Sequence, residues 1–146
     1  MRGDLIYLAQ SDTTAGLLSQ NREKLNLIKK RDKNKPILRE VDSLDTLKKF
    51  TRVPKKFKNR IRRSKKVTFI YPNKEALRVV RDELHLGFLR KFKWMYSTSA
   101  NKSGKRFDKE WARSVADVVV EDKRGLFEGE ASRIYKISKR KIKRLR

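Results

Sequence analysis

Tyr96-Ser97-Thr98-Ser99-Ala100-Asn101-Lys102-Ser103-Gly104 is the stretch on which the reading of this 146-residue chain turns. It sets small hydroxyl side chains, one amide and one glycine directly behind an apolar triplet, Trp94-Met95-Tyr96. The triplet predicts the end of a buried strand. The polar run predicts the loop beyond it, with Gly104 free to turn sharply. Ser, Asn and Gly are also ordinary turn residues. At the carboxyl end of a strand in an α/β sheet, however, such a loop is where ligands bind.

Working outward, the chain alternates short apolar runs with charged helical patterns. Leu5–Ala9 predicts a strand, and Gln10–Gln20 a polar loop holding Ser11, Asp12, Thr13, Thr14 and Gly16. Asn21 is a candidate N-cap for a helix carrying Leu25, Leu27 and Ile28, which Pro36 cannot continue. Ile37–Val41 follows as a strand. Ser43 caps a helix running to Phe50, and Pro54 starts another with Phe57 and Ile61 inward. Lys66–Tyr71 is the clearest strand, and Pro72-Asn73 turns it into a second arm, Ala76–Val80. Leu84, Phe88 and Leu89 mark a helix, and Asp108 caps one bearing Trp111 and Val115. Val118–Val120 and Ile134–Ile137 are further strands. The tail from Ser138 is mostly Lys and Arg, with Ile142 and Leu145 available to dock on the domain. The sum is one α/β domain over residues 1–146, a mixed sheet with flanking helices and no internal repeat.

Composition narrows the chemistry. There is no cysteine, which excludes a disulfide framework, a thiol nucleophile and a zinc ribbon. No apolar run approaches the ~20 residues of a membrane span, and the N-terminal run lacks the apolar core of a signal peptide. A cytoplasmic protein without a membrane partner is expected. Lys and Arg number 41 against 17 Asp and Glu, a net charge of +24. That charge points to nucleic acid, a phosphorylated ligand or both. There is no GxxxxGK[ST] or GxGxxG motif, so neither a P-loop nor a Rossmann site is available.

Several stretches share one resemblance. Ser99-Ala100-Asn101-Lys102-Ser103-Gly104 resembles the "SAN-x-SG" signature of the YrdC-like family, the YrdC/YciO-type threonylcarbamoyl-AMP synthases. Ile28-Lys29-Lys30-Arg31, leading to Lys35-Pro36, is similar to the family's "IKGRPxxKP". By themselves these cations would complement a helix C-terminus. Ser11–Leu17 resembles "TDTxYGL", with Ala15 where the family has tyrosine and a shortened segment after it. Val67–Ile70 resembles "LTxxL", and Arg78-Val79-Val80 resembles "VRVP". Gly129–Ile134 resembles "G-x-PSTI", and Leu145-Arg146 the start of a terminal "LRPG". The chain is thereby identified as a short, divergent member, with Glu40 near a position where the family often has histidine.

The resemblance implies a twisted YrdC-like/RibB-like α/β fold with a large positively charged cavity. It implies synthesis of threonylcarbamoyl-AMP from L-threonine, bicarbonate and ATP with release of pyrophosphate, for threonylcarbamoyladenosine in tRNA. Lys29, Arg31, Lys35, Ser99, Asn101 and Arg146 would bind ATP. Thr13, Arg78, Ser97 and Ser132 would hold threonine. No nucleophile is needed, Lys29 and Arg31 stabilising charge, and Mg2+ would arrive on ATP, since no carboxylate cluster is evident. Proteins that transfer the threonylcarbamoyl group, and tRNA or double-stranded RNA, are the implied partners. The alternative is a non-catalytic RNA- or nucleotide-binding protein of the same fold. Arg78 inside an apolar strand needs a partner, and Asp82 or Glu83 is the candidate. His85 is expected at a surface or half-buried helix position, and Arg60 on a solvated helix face.

Overall fold

Short buried strands assemble into a nine-stranded mixed sheet in the computed structural model, which describes residues 2–31 and 37–146. The strands are β1 (Tyr7–Gln10), β2 (Ala15–Ser19), β3 (Leu38–Val41), β4 (Val67–Ile70), β5 (Ala76–Val79), β6 (Trp94–Ser99), β7 (Val118–Val120), β8 (Arg133–Ile137) and β9 (Ile142–Arg144). Their order across the sheet is β7-β1-β2-β6-β3-β5-β4-β8-β9. The helices are α1 (Arg22–Lys29), α2 (Leu44–Leu47), α3 (Lys58–Arg63), α4 (Glu83–Leu89) and α5 (Lys109–Val115).

Register decides which face each side chain occupies, because paired residues point the same way and neighbours alternate. Leu18 pairs with Ser97, Ser97 with Leu38, Met95 with Glu40, and Glu40 with Arg78. That face is apolar at one end, where α4 packs Leu86, Phe88 and Leu89 against Tyr7, Ala9, Leu18 and Met95. Beyond Glu40 it turns polar and open. The opposite face carries the other helices. There α1 and α5 pack on Leu8 and Leu17, while α2 and α3 pack on Val41, Phe69 and Leu77.

Helix starts follow the predicted caps. The side chains of Asn21, Ser43 and Asp108 each accept a backbone N–H in the first turn of α1, α2 and α5. The β4–β5 hairpin and the strands at 37–41, 118–120 and 134–137 also stand where expected, within a residue or two.

Four expectations are corrected. The polar loop expected over Gln10–Gln20 contains β2, a fully buried central strand between β1 and β6. The strand expected to end at Tyr96 runs on to Ser99, so half of the Ser/Asn loop is strand. The helix expected to reach Phe50 closes at Leu47, after which Phe50 returns its N–H to Leu47 in a turn. Leu27 and Leu84, expected on apolar helix faces, are exposed. The basic tail does dock: β9 pairs with β8, and the backbone of Arg146 exchanges bonds with Ile134.

Candidate functional site

The uncovered half of the α4 face forms a cavity of about 370 Å3. Loop 11–14 lines one side with Ser11 and Thr13, and β6 supplies Ser97, Thr98 and Ser99. β5 and β4 contribute Arg78 and Thr68, and the segment entering β8 brings Ser132. Arg31 and Arg146 complete a lining that holds three arginines and no carboxylate among the described residues. Of the residues expected in the site, Arg31, Ser99, Arg146, Thr13, Arg78, Ser97 and Ser132 therefore meet around one space. Lys35 lies outside the described residues.

Two glycines allow the walls to close. Gly16 lies in β2 beneath the cavity, where an added Cβ would stand 3.4 Å from the Thr98 carbonyl oxygen. Gly129 approaches loop 11–14 so closely that a Cβ there would fall 1.9 Å from the Thr13 carbonyl oxygen. Its N–H donates to Thr14 Oγ1 at 3.0 Å, tying the segment before Ser132 to the segment carrying Thr13. Thr13 is also set from within its loop, since its N–H donates to Ser11 Oγ at 3.0 Å.

Arg78 is the best-fixed charge in the cavity and is 3 % exposed. Its partners are not Asp82 and Glu83. Nη2 reaches Asp12 Oδ1 at 3.0 Å and Glu40 Oε2 at 3.3 Å, and Nη1 donates to Thr68 Oγ1 at 3.4 Å. Glu40 is opposite Arg78 in the β3–β5 register, and Asp12 arrives on the β1–β2 loop. Thr68 in turn bonds Ser132 Oγ at 2.8 Å, and Arg146 Nε donates to the Ser132 carbonyl at 2.9 Å. Asp82 instead caps α4 and receives Arg124, whose guanidinium also donates to the Gln10 and Ser11 carbonyls.

His85 is buried on α4, 2.5 Å from Glu40 Oε1 through Nε2, deeper than the surface or half-buried position expected for it. Burial alone would raise the Glu40 carboxyl, but His85 and Arg78 outweigh it and hold Glu40 well below the usual carboxylate range. Asp12 moves the other way. Burial raises it, with the Glu40 charge adding, and Arg78 offsets only part. Asp12, Glu40 and His85 present ligand atoms within 4.8 Å of one another, a cluster the sequence did not reveal. The Arg78 guanidinium hydrogen-bonds Asp12 and forms an ion pair with Glu40, so the group is a compensated charge network rather than a cation site.

Lys29 and Asn101 do not line the cavity. Lys29 is buried, and its Nζ donates to the carbonyl oxygens of Ser99, at 2.9 Å, and of Asn101. Burial, with Arg31 nearby, lowers its pKa to about 8. The Asn101 amide donates to the Lys102 and Lys105 carbonyls, and Ser103 Oγ donates to the Lys29 carbonyl. The Lys29 and Ser/Asn motifs thus meet, but as a brace that ties the end of α1 to the end of β6. Lys30 at φ 53 then turns the chain so that Arg31 reaches the cavity. Sequence reasoning missed Ser11 and Thr68 as parts of the wall, and Asp12 behind it as a partner of Arg78. Thr68 had a signal, the threonine within Val67–Ile70.

A family model named Sua5_yciO_yrdC, described as "Telomere recombination", matches residues 9–146. No curated protein matches the chain in sequence. Among solved structures, a double-alanine variant of P. abyssi Sua5 is similar with a TM-score of 0.78 at 15% identity. The match covers 97% of this chain and 49% of that one, so this chain spans about half the length of that Sua5. P. abyssi Sua5 complexed with L-threonine matches with a TM-score of 0.74 at 15% identity, over 91% of this chain and 47% of that one. E. coli YciO matches with a TM-score of 0.76 at 15% identity, over 98% and 82%. With the family model spanning nearly the whole chain, the protein belongs to the Sua5/YciO/YrdC family.

Proposed function

We propose that this protein makes L-threonylcarbamoyl-AMP from L-threonine, bicarbonate and ATP, for modification of tRNA in the cytoplasm. What carries the reading is Arg78, a nearly buried guanidinium that two carboxylates hold at the cavity wall among small hydroxyls. Such a fork suits an amino-acid carboxylate. Ser97, Thr13 and Ser132 surround the rest of a threonine-sized ligand, and the L-threonine complex of a Sua5 of the same fold supports that assignment.

ATP lies toward Arg31, Arg146 and Ser99, with Lys35 as a further phosphate contact. Lys29 and Asn101 act through the brace, fixing Ser99 and the start of the segment to Arg31. The threonine amine takes up bicarbonate to give a carbamate and water. A carbamate oxygen then attacks the α-phosphorus, and pyrophosphate leaves. Catalysis consists of positioning and charge stabilisation, with no covalent intermediate on the protein. Mg2+ enters on the triphosphate, since the carboxylates beside the cavity are committed to Arg78. The product passes to proteins that transfer the threonylcarbamoyl group to tRNA.

The test is pyrophosphate release from ATP. It is expected to require threonine and bicarbonate together and to fail with Arg78→Lys. Release independent of threonine, or none with all three substrates, would overturn the synthase reading and leave a nucleotide-binding protein.

A further inference from the structure

Charge is distributed unevenly over the molecule. Residues 48–66 hold 11 Lys and Arg and no Asp or Glu, and residues 133–146 hold eight and none. These two segments carry 19 of the 41 cations, and the rest of the chain is close to balanced, with 22 against 17 acids. In space they are neighbours. Phe57 and Ile61 of the first segment share a core with Ile137, Tyr135 and Ile142 of the second. Lys56 Nζ donates to the Arg140 carbonyl at 3.2 Å, and the Arg60 guanidinium lies 5.1 Å from the Tyr135 ring centre. Among the described residues, none of these 19 cations makes an ion pair, whereas Arg2, Arg39, Arg78, Arg90, Arg106, Arg113 and Arg124 elsewhere all do.

We infer that α3 and the β8–β9 hairpin form a docking surface for the phosphodiester backbone of a nucleic acid, separate from the cavity. Only Arg146 of these cations lines the cavity. Two neighbouring segments with no acid of their own to fix a register suit a uniformly charged polymer. A protein partner would call for an apolar centre, yet Leu145 is the only large apolar side chain exposed in the two segments. A groove of about 540 Å3 beside the field adds Val53, Pro54 and Pro72 to Arg52, Lys55 and Lys139, a lining that accepts both faces of a sugar–phosphate strand.

The experiment compares two variants of equal net charge for binding a labelled short RNA duplex by anisotropy across a salt series. One is Lys58→Gln, Arg63→Gln, Lys139→Gln and Lys141→Gln. The other is Lys91→Gln, Lys105→Gln, Lys109→Gln and Lys123→Gln, at exposed positions away from this end. The first is expected to bind at least about tenfold more weakly, with a slope of log affinity against log salt smaller by about 3, at 0.7–0.9 per phosphate contact. The second stays within about twofold of wild type. Acetylation footprinting of the wild type supplies a readout without variants: RNA protects Lys58, Lys139 and Lys141 but not Lys91 or Lys109. Equal losses in the two variants, uniform protection, or displacement of RNA by polyglutamate as readily as by unlabelled RNA would overturn the surface. Threonine-dependent pyrophosphate release, measured in parallel, reports on the synthase reading independently.

Discussion

Two parts of this molecule carry concentrated charge and handle it in opposite ways. Behind the cavity wall, Asp12, Arg78, Glu40 and His85 are all buried, and each touches a member of opposite or complementary character. At the β8–β9 end, cations stand without carboxylates and face water. Low dielectric makes an unpaired charge intolerable in the first place, whereas solvent and salt screen like charges in the second. Charge at the wall is therefore bound up with folding, and charge at the basic end is nearly free to be set by what binds there.

Replacing Glu40 should test that contrast most severely. Glu40→Gln leaves Arg78 with one carboxylate and His85 with none, and the expected loss is about 3 kcal/mol in denaturant unfolding. The effect has a pH signature. Glu40 is held below its ordinary 4.5, near 2, so the unfolded chain takes up the proton first as pH falls. Its stabilisation is full above about pH 4.5 and is lost on acidification toward about pH 2. The variant should be less stable at neutral pH and lack that part of the acid slope. A Glu40→Gln protein as stable as wild type would mean the wall is not a coupled network.

Arg78→Lys comes next. The charge remains, but one ammonium cannot serve Asp12, Glu40 and Thr68 as the fork does. A stability cost of about 2 kcal/mol should accompany loss of threonine-dependent pyrophosphate release. Asp12→Asn should cost less, about 1 kcal/mol. Its amide oxygen can still accept from Arg78, and burial already disfavours the ionised carboxylate there. If Asp12→Asn cost as much as Glu40→Gln, the two carboxylates would be equivalent, and the asymmetry imposed by His85 would be wrong.

The same contrast explains what could be read in the sequence. Periodicity, caps and turns are local signals, so the β4–β5 hairpin, the α1 cap at Asn21 and the α5 cap at Asp108 were legible. β2 was not. A central strand buried on both faces loses its alternation, and Ala15-Gly16-Leu17-Leu18-Ser19 sits among hydroxyls that read as loop. β6 hid its second half for a related reason, because it lines the cavity with Ser97, Thr98 and Ser99. The residues around the cavity were largely found through short motifs. Their partners were not, because Arg78 meets carboxylates 66 and 38 positions away in sequence, brought in by sheet order alone. His85 read as a lone surface or half-buried histidine, and α4 packs it onto Glu40.

The smallest expected effect belongs to the basic end. Nineteen cations without an acid repel one another across a surface whose Debye screening length is about 10 Å at 0.1 M salt and about 3 Å at 1 M. Removing four of them at Lys58, Arg63, Lys139 and Lys141 takes away repulsion and, among the described residues, no ion pair. The variant should unfold at a slightly higher temperature than wild type in low salt, by no more than about 0.5 kcal/mol per site. Added salt should stabilise wild type more than the variant, and the two curves should converge as screening removes the repulsion. This is the opposite sign to Glu40→Gln, where losing a charge destabilises and salt recovers little because the network is dry. Thermal unfolding of both variants across a salt series makes the comparison in one experiment. A less stable variant at low salt would show that these cations are held by contacts within the fold, as those at the wall are, and would erase the distinction between the two regions.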